Sequence, residues 1–115
     1  MNVAVLSGML ARDPELRELP SGEEVLTMDL VIRDEDRKTC SVPLAWINAP
    51  ARAHKWSKGT EIVVQGRVVR RFFRANGATV SRTEVVVDHA VVNTQRVRVK
   101  GLLNQVATGL GQAAA

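Results

Sequence analysis

The chain has 115 residues, enough for one domain with a modest hydrophobic core, and 45% of them are hydrophobic. The single cysteine, Cys40, excludes an intrachain disulfide, and the apolar start of the chain has no basic residue before it and is broken by Arg12-Asp13-Pro14 too early for a signal peptide or a membrane span. The net charge of +4 is unevenly placed: residues 1–59 hold eight Lys/Arg against nine Asp/Glu, and residues 60–115 hold eight against three, a footprint that suits a polyanion partner and also plain solubility.

Val3, Val5 and Leu6 begin a half-buried strand, Gly8 permits a bulge or a close backbone approach, and Asp13-Pro14 ends the pairing. Pro20-Ser21-Gly22 is a second turn signal. Residues 25–33 alternate strictly, with Leu26, Met28, Leu30 and Ile32 on one face and Val25, Thr27, Asp29, Val31 and Arg33 on the other, the pattern of a strand half buried on a core. A charged connection, Asp34-Glu35-Asp36-Arg37-Lys38, leads to a third strand over 39–47 with Val42 and Leu44 inward. Pro43 lacks the ladder donor in mid-strand and points to an inserted residue there. An insertion turns the following side chains over and brings Trp46 to the outer surface, whereas an unbroken strand keeps Trp46 in the core beside Leu44.

Residues 49–58 read as a short helix with Ala49, Ala53 and Trp56 on its apolar stripe and Gly59 as its stop. A fourth strand over 60–74 sends Ile62, Val64, Gly66 and Val68 inward and Gln65, Arg67, Val69, Arg71 and Phe73 outward. Asn76-Gly77 turns it into a fifth strand over 80–92. In the tail, 94–115, Leu102, Leu103, Val106 and Leu110 recur at helical spacing while Gly101, Gly109 and Gly111 oppose a helix. Disorder and a short helix docked on a neighbouring subunit both fit.

Five strands with one helix between the third and fourth make residues 1–93 an all-β domain in the order of an OB-fold, a partly open Greek-key barrel. Another small β-barrel with the same strand count is the alternative. The string Gly8-Met9-Leu10-Ala11-Arg12-Asp13-Pro14-Glu15-Leu16-Arg17, followed by Pro20-Ser21-Gly22, resembles the first strand and turn of bacterial single-stranded DNA-binding proteins. Lys58-Gly59, Gly66-Arg67 and Thr83-Glu84-Val85-Val86-Val87-Asp88 also sit where that family has similar residues, so the resemblance covers residues 1 to about 93.

The resemblance implies an OB-fold and non-catalytic, sequence-tolerant binding of single-stranded DNA in replication, recombination or repair. It also implies a homo-oligomer, a tetramer or otherwise a dimer, in which first strands pair and bury Val3 and Val5 against their symmetry mates. Family members carry a Trp at the start of the third strand and a Phe near its end; those positions fall here on Thr39 and Ala45, and the chain has no Tyr. Losing two stacking contacts costs about 2–6 kcal/mol. Members also end in an acidic peptide that recruits replication and repair enzymes, whereas no acidic residue follows Asp88 here.

The expected binding surface lies on the fourth strand, where Arg67, Arg71 and Phe73 offer guanidinium groups to phosphates and a ring to a base. Beyond Arg70 the strand pair is expected to flare from the barrel and expose Arg70, Phe72 and Arg74 as well. Arg33, Lys58 and Arg82 are the accompanying basic groups, and Trp46 joins them if its strand carries the insertion. The competing placement puts Phe72 or Phe73 in a subunit interface.

No catalytic residue is expected, because Cys40 as a buried thiol and His54 as a surface imidazole come with no activating third group. Two histidines and one cysteine lack metal-ligand spacing, and Asp34-Glu35-Asp36 lacks the glycine and distal glutamate of a calcium loop. The expectation is therefore no metal, cofactor, membrane or small-molecule substrate, with single-stranded DNA as partner in the cytoplasm, at the nucleoid. A second class stays open: an OB-fold protein-interaction or assembly factor of primosomal type with weak nucleic-acid binding. Loss of the family's aromatics favours that class, and the arginine-rich fourth strand favours DNA.

Overall fold

Six strands and two helices succeed one another as β1 (Ala4–Leu10), β2 (Glu15–Glu18), β3 (Glu24–Arg33), β4 (Thr39–Ile47), α1 (Ala51–His54), β5 (Glu61–Ala75), β6 (Ala78–Val92) and α2 (Arg96–Ala114). This is a computed structural model, and it describes residues 1–36 and 38–114. The strands run β1-β5-β6-β4-β3, and β1 pairs with β3 to close the ring. All neighbours are antiparallel except β4 and β6, which meet in parallel at Leu44 and Ala45 opposite Val85 and Val86. A five-stranded ring with a short helix between β4 and β5 is an OB-fold. The sequence pattern missed β2, an exposed strand that pairs with β3 across the Pro20–Gly22 turn and has no apolar face to betray it.

The ring encloses the side chains that strict alternation points inward. Leu26, Met28 and Leu30 of β3, Leu44 of β4, Ile62 and Val64 of β5, and Val85 and Val87 of β6 form the core with Leu10. Burying each such aliphatic side chain contributes about 1.5–3 kcal/mol. The pairing of β3 with β4 runs without a break from Val25 opposite Ile47 to Arg33 opposite Thr39, and Pro43 lies opposite Asp29. No residue is inserted at Pro43, whose strand meets β6 only at Leu44 and Ala45 and so leaves an open edge where the ring needs no donor.

The irregularity lies elsewhere. Between β5 and β6 the register shifts at Gln65/Gly66, so that Gln65 faces His89, Gly66 faces Val87, and Asp88 is the extra residue of a bulge. At Gly66 an added Cβ would run into the Val86 carbonyl oxygen, and at Gly8 into that of Val31; only glycine allows these two strand approaches. Beyond the bulge β6 still meets β4 at Val86 and Val85, and from Val69 opposite Glu84 onward β5 and β6 continue as a two-stranded hairpin closed by Asn76 (φ 51°) and Gly77 (φ 77°), the left-handed pair that a tight hairpin turn demands. Val68, expected inward, is 46% exposed because the pairing of β1 with β5 ends at Gly66 and no strand continues beside Val68 on that side. The Asn2 side chain ties its backbone in place, accepting from the Val68 N–H at 2.9 Å and donating to the Val68 carbonyl at 2.8 Å.

The helix expected over 49–58 is a single turn, Ala51–His54, because the chain folds back at once to pack Trp56 against the core. The tail is helical, and Leu102, flanked by Val99 and Val106, packs on its own chain over Val63 and Val91 on the outer face of β5 and β6. Three helical glycines oppose this by about 1 kcal/mol each. Burial of Leu102 at about 1.5–3 kcal/mol, the partial burial of Val99 and Val106, and the cover they give Val63 and Val91 offset them.

The close strand approach and the helical glycines make opposite predictions for the same substitution. Gly66→Ala is expected to destabilise the fold by about 1–3 kcal/mol, since backbone is in the way. Gly109→Ala meets nothing within 4 Å and is expected to stabilise by about 0.5–1 kcal/mol. Urea denaturation followed by circular dichroism measures both.

Candidate nucleic-acid interface

A groove of about 280 Å³ runs between the β2–β3 hairpin and the base of the β5–β6 hairpin, over the outer face of β3 and β4. Val25, Ala45 and Ile47 line it as a largely apolar floor, with Thr27 between them, and Arg12, Arg17, Arg71 and Arg82 reach it from the two sides. Two of these arginines were absent from the sequence expectation. Arg12 sits at the bend after β1 and Arg17 on β2, within the opening motif, and only ring closure brings them opposite the hairpin arginines. The β2 strand, had it been recognised, was the one available signal.

Three of the four arginines are paired with a carboxylate. Arg12 Nε lies 2.7 Å from Asp29 Oδ2, and Arg17 Nη2 lies 3.6 Å from Glu15 Oε2. Arg71 and Arg82 are cross-strand partners on β5 and β6. Arg71 Nε donates to Glu84 Oε1, and the Glu84 side chain is only 11% exposed while that of Arg71 is 54% exposed. Arg82 has no carboxylate partner among the described residues.

The pleat divides the hairpin into two faces. Phe73 and Val80 are paired two residues on from Arg71 and Arg82, so Phe73 extends the groove side. Arg70, Phe72 and Arg74 point to the reverse side, where Arg70 donates to Ser81 Oγ at 2.9 Å and lies 5.6 Å from the Phe72 ring centroid. Both rings are exposed, Phe72 at 68% and Phe73 at 47%. Arg67 lies nearer the ring, where its Nη1 approaches Asp88 Oδ1 at 3.3 Å, and Gln65 Nε2 donates to the same carboxylate at 3.1 Å. Arg33 and Lys58 lie outside the groove. Arg33 borders a separate hollow with Met9, Val31 and Glu61. Lys58 stands in the turn before β5, its backbone N–H donating to Asp13 Oδ1 at 2.8 Å.

Known proteins resemble this chain over the same span. The model of the single-strand binding protein family matches residues 1–94. The chain belongs to the single-strand binding protein family. A protein of Oceanobacillus iheyensis named single-stranded DNA-binding protein is 35% identical over 101 residues, covering 76% of this chain and 60% of that protein. A Streptococcus mutans protein of the same name is 29% identical over 118 residues, covering 95% of this chain and 72% of that protein. The chain thus spans about three fifths of the length of the first relative and about seven tenths of the second.

Where the family's aromatics are expected, the groove is bare: Ala45 lies in its floor, and Thr39 stands exposed at the far end of β4. Trp46 does not replace them. With no insertion at Pro43 it keeps the inward parity of Leu44, is 6% exposed, and packs with its ring centroid 6.0 Å from that of Trp56. Arg52 closes over both indoles, its guanidinium 5.7 Å from each ring centroid. Burial first, and then the charge of Arg98, lower the pKa of Arg52 from its ordinary value.

Cys40, expected to be buried, is exposed on β4 opposite Ile32. Among the described residues no group of three or more His, Cys, Asp or Glu side chains comes close enough to hold a metal, and no helix is long and apolar enough to cross a membrane.

Trp46 in the core is expected to matter for stability. Trp46→Ala should cost about 3–5 kcal/mol in urea denaturation, the magnitude of a large aromatic deletion from a packed interior.

Proposed function

We propose that this chain binds single-stranded DNA, without catalysis and without strong sequence preference, and that it serves in replication, recombination or repair in the cytoplasm, at the nucleoid. The observation that carries this is the convergence of Arg12, Arg17, Arg71 and Arg82 on an apolar groove across the outer face of β3 and β4. Family membership and the names of both relatives support it, and neither favours the assembly-factor alternative. In this reading phosphates meet the arginines while bases lie on the apolar floor. Phe73 and the faces of the guanidinium groups supply stacking in place of the missing rings. The strand then passes round the hairpin, where Arg70, Phe72 and Arg74 meet it on the reverse side. Arg67 contributes from beside the bulge, and Arg33 and Lys58 lie off this path.

We also propose that the protein is a homo-oligomer built on the edge of β1. Met9 and Leu10 pair with β3, but Ala4 to Gly8 pair only with β5, which leaves one edge of five residues without a partner among the described residues. Val3 and Val5 stand exposed beside it, Val5 at 41%. An open edge of this kind is covered by a second copy of itself in a two-fold dimer. Exposed Leu103 and Leu110 on α2 offer a further apolar contact through which two dimers make a tetramer. Several groove faces on one assembly raise the effective concentration of weak sites along a strand.

Titration of labelled oligothymidine at several salt concentrations tests the first proposal. Log K is expected to fall with log salt at a slope of magnitude up to about 3, with 0.7 for each of about four phosphate contacts, and duplex is expected to bind far more weakly. Arg82→Ala should flatten the slope by about 0.7, whereas Phe73→Ala should weaken binding by about 1–3 kcal/mol at constant slope. No binding at low salt, or equal binding of duplex, overturns the reading.

Light scattering tests the second. The wild type is expected to run as a dimer or tetramer at micromolar concentration, and Val5→Asp to reduce its mass while its circular dichroism spectrum stays native. A wild-type monomer overturns the proposal.

A further inference from the structure

The arginines of the proposed binding face are not idle cations. Arg71 is bonded to Glu84, Arg67 to Asp88, and Arg12 to Asp29. Two of these three carboxylates, Glu84 and Asp88, stand on β6 and are carried there by distinct features of the fold. Glu84 faces Val69 in the ladder, on the same side as Arg71 and Arg82, and borders the groove itself. Asp88 is the extra residue of the bulge, which turns it toward Gln65 and Arg67.

We propose that Glu84 and, more weakly, Asp88 are internal competitors for the arginines of the binding face, so that a DNA phosphate binds by displacing a carboxylate of the protein itself. This rests on the single-stranded DNA reading above. A carboxylate and a phosphodiester present the same pair of oxygens to a guanidinium fork, so the two compete for one set of donors. Glu84 is the stronger competitor because it is nearly buried, and Arg71 is its one hydrogen-bonded partner among the described residues. A phosphate that takes Arg71 leaves that carboxylate without a partner in the groove wall and is itself repelled by it. Asp88 is 41% exposed and is solvated when released, so its competition is weaker. Exchange also reduces the net release of ions on binding, because a freed carboxylate gathers counterions as the phosphate loses them. The consequence is a binding face of restrained affinity and restrained salt dependence, set by residues that never touch DNA favourably.

Glu84→Gln is the informative substitution, since the amide oxygen still accepts from Arg71 Nε while the competing charge is gone. Oligothymidine titrations of wild type, Glu84→Gln, Asp88→Asn and Glu61→Gln should be run across a salt series, with thermal melts to establish folding. Glu84→Gln is expected to bind about tenfold more tightly at low salt and to steepen the slope by up to 0.7, one further phosphate contact. Asp88→Asn is expected to gain about two- to threefold, in keeping with a more exposed pair. Glu61→Gln removes one negative charge beside the separate hollow and is expected to change little. Wild-type binding with no gain in Glu84→Gln, or an equal gain in Glu61→Gln, overturns the competition and leaves the single-stranded reading intact. If Glu84→Gln does not fold, Asp88→Asn decides alone, and no gain there overturns the proposal. Absence of binding by the wild type at low salt overturns both the single-stranded reading and the competition that rests on it.

Discussion

β1 has to serve two neighbours, and the rest of the structure follows from how it does so. Its first six residues pair with β5, and its last two pair with β3 across the ring. A strand that changes partner in this way must bend toward the second one, and at Gly8 the β3 backbone comes so close that no side chain fits. Closing the ring at that point encloses Leu10, Leu30 and their neighbours and leaves β3 and β4 with one face outward. Arg12 follows two residues after the crossing, so the constraint that closes the core also aims the first arginine at the groove.

The electrostatics of the groove are those of a guarded surface, not of an open cationic patch. Exposed ion pairs such as Arg17–Glu15 are worth about 0–1 kcal/mol and yield readily to a phosphate. Arg71–Glu84 differs because one partner is nearly buried, and a half-buried pair resists separation more than an exposed one does. Together with an aliphatic floor in place of rings, this describes a face on which each contact is modest, and in the proposed oligomer repetition across subunits supplies the hold. The hairpin extends the same logic. Its two faces carry one exposed phenylalanine each, flanked by arginines, on a ribbon that has left the barrel and has no core to bury them.

α2 shows the opposite balance, in which burial overrides local preference. Glycines at 101, 109 and 111 weaken an isolated helix, yet the outer face of β5 and β6 presents Val63 and Val91 beside each other, and Leu102 covers both. The sheet face beside it stays open at Val3 and Val5, so the helix covers only part of the apolar surface that the ring turns outward.

The five strands of the ring, most of their inward residues and the hairpin turn were legible because they depend on period-two alternation and on the left-handed preference of Asn76-Gly77, both local properties of the chain. β4 and its bounds, 39–47, follow from the same signal. The fate of Trp46 was not legible. It turned on whether one residue is inserted near Pro43, and only the unbroken pairing with β3 answers that, since register belongs to two strands and not to one. The bulge proved to lie at Asp88, where nothing in composition marks it. The basic residues of the second half were visible as charges, but neither their carboxylate partners nor the meeting of Arg12 and Arg17 with Arg71 and Arg82 was. The carboxylate partners depend on the register between β5 and β6, while Arg12 and Arg17 lie more than fifty residues from Arg71 and Arg82 and meet them only when the ring closes around its core, which no local pattern encodes.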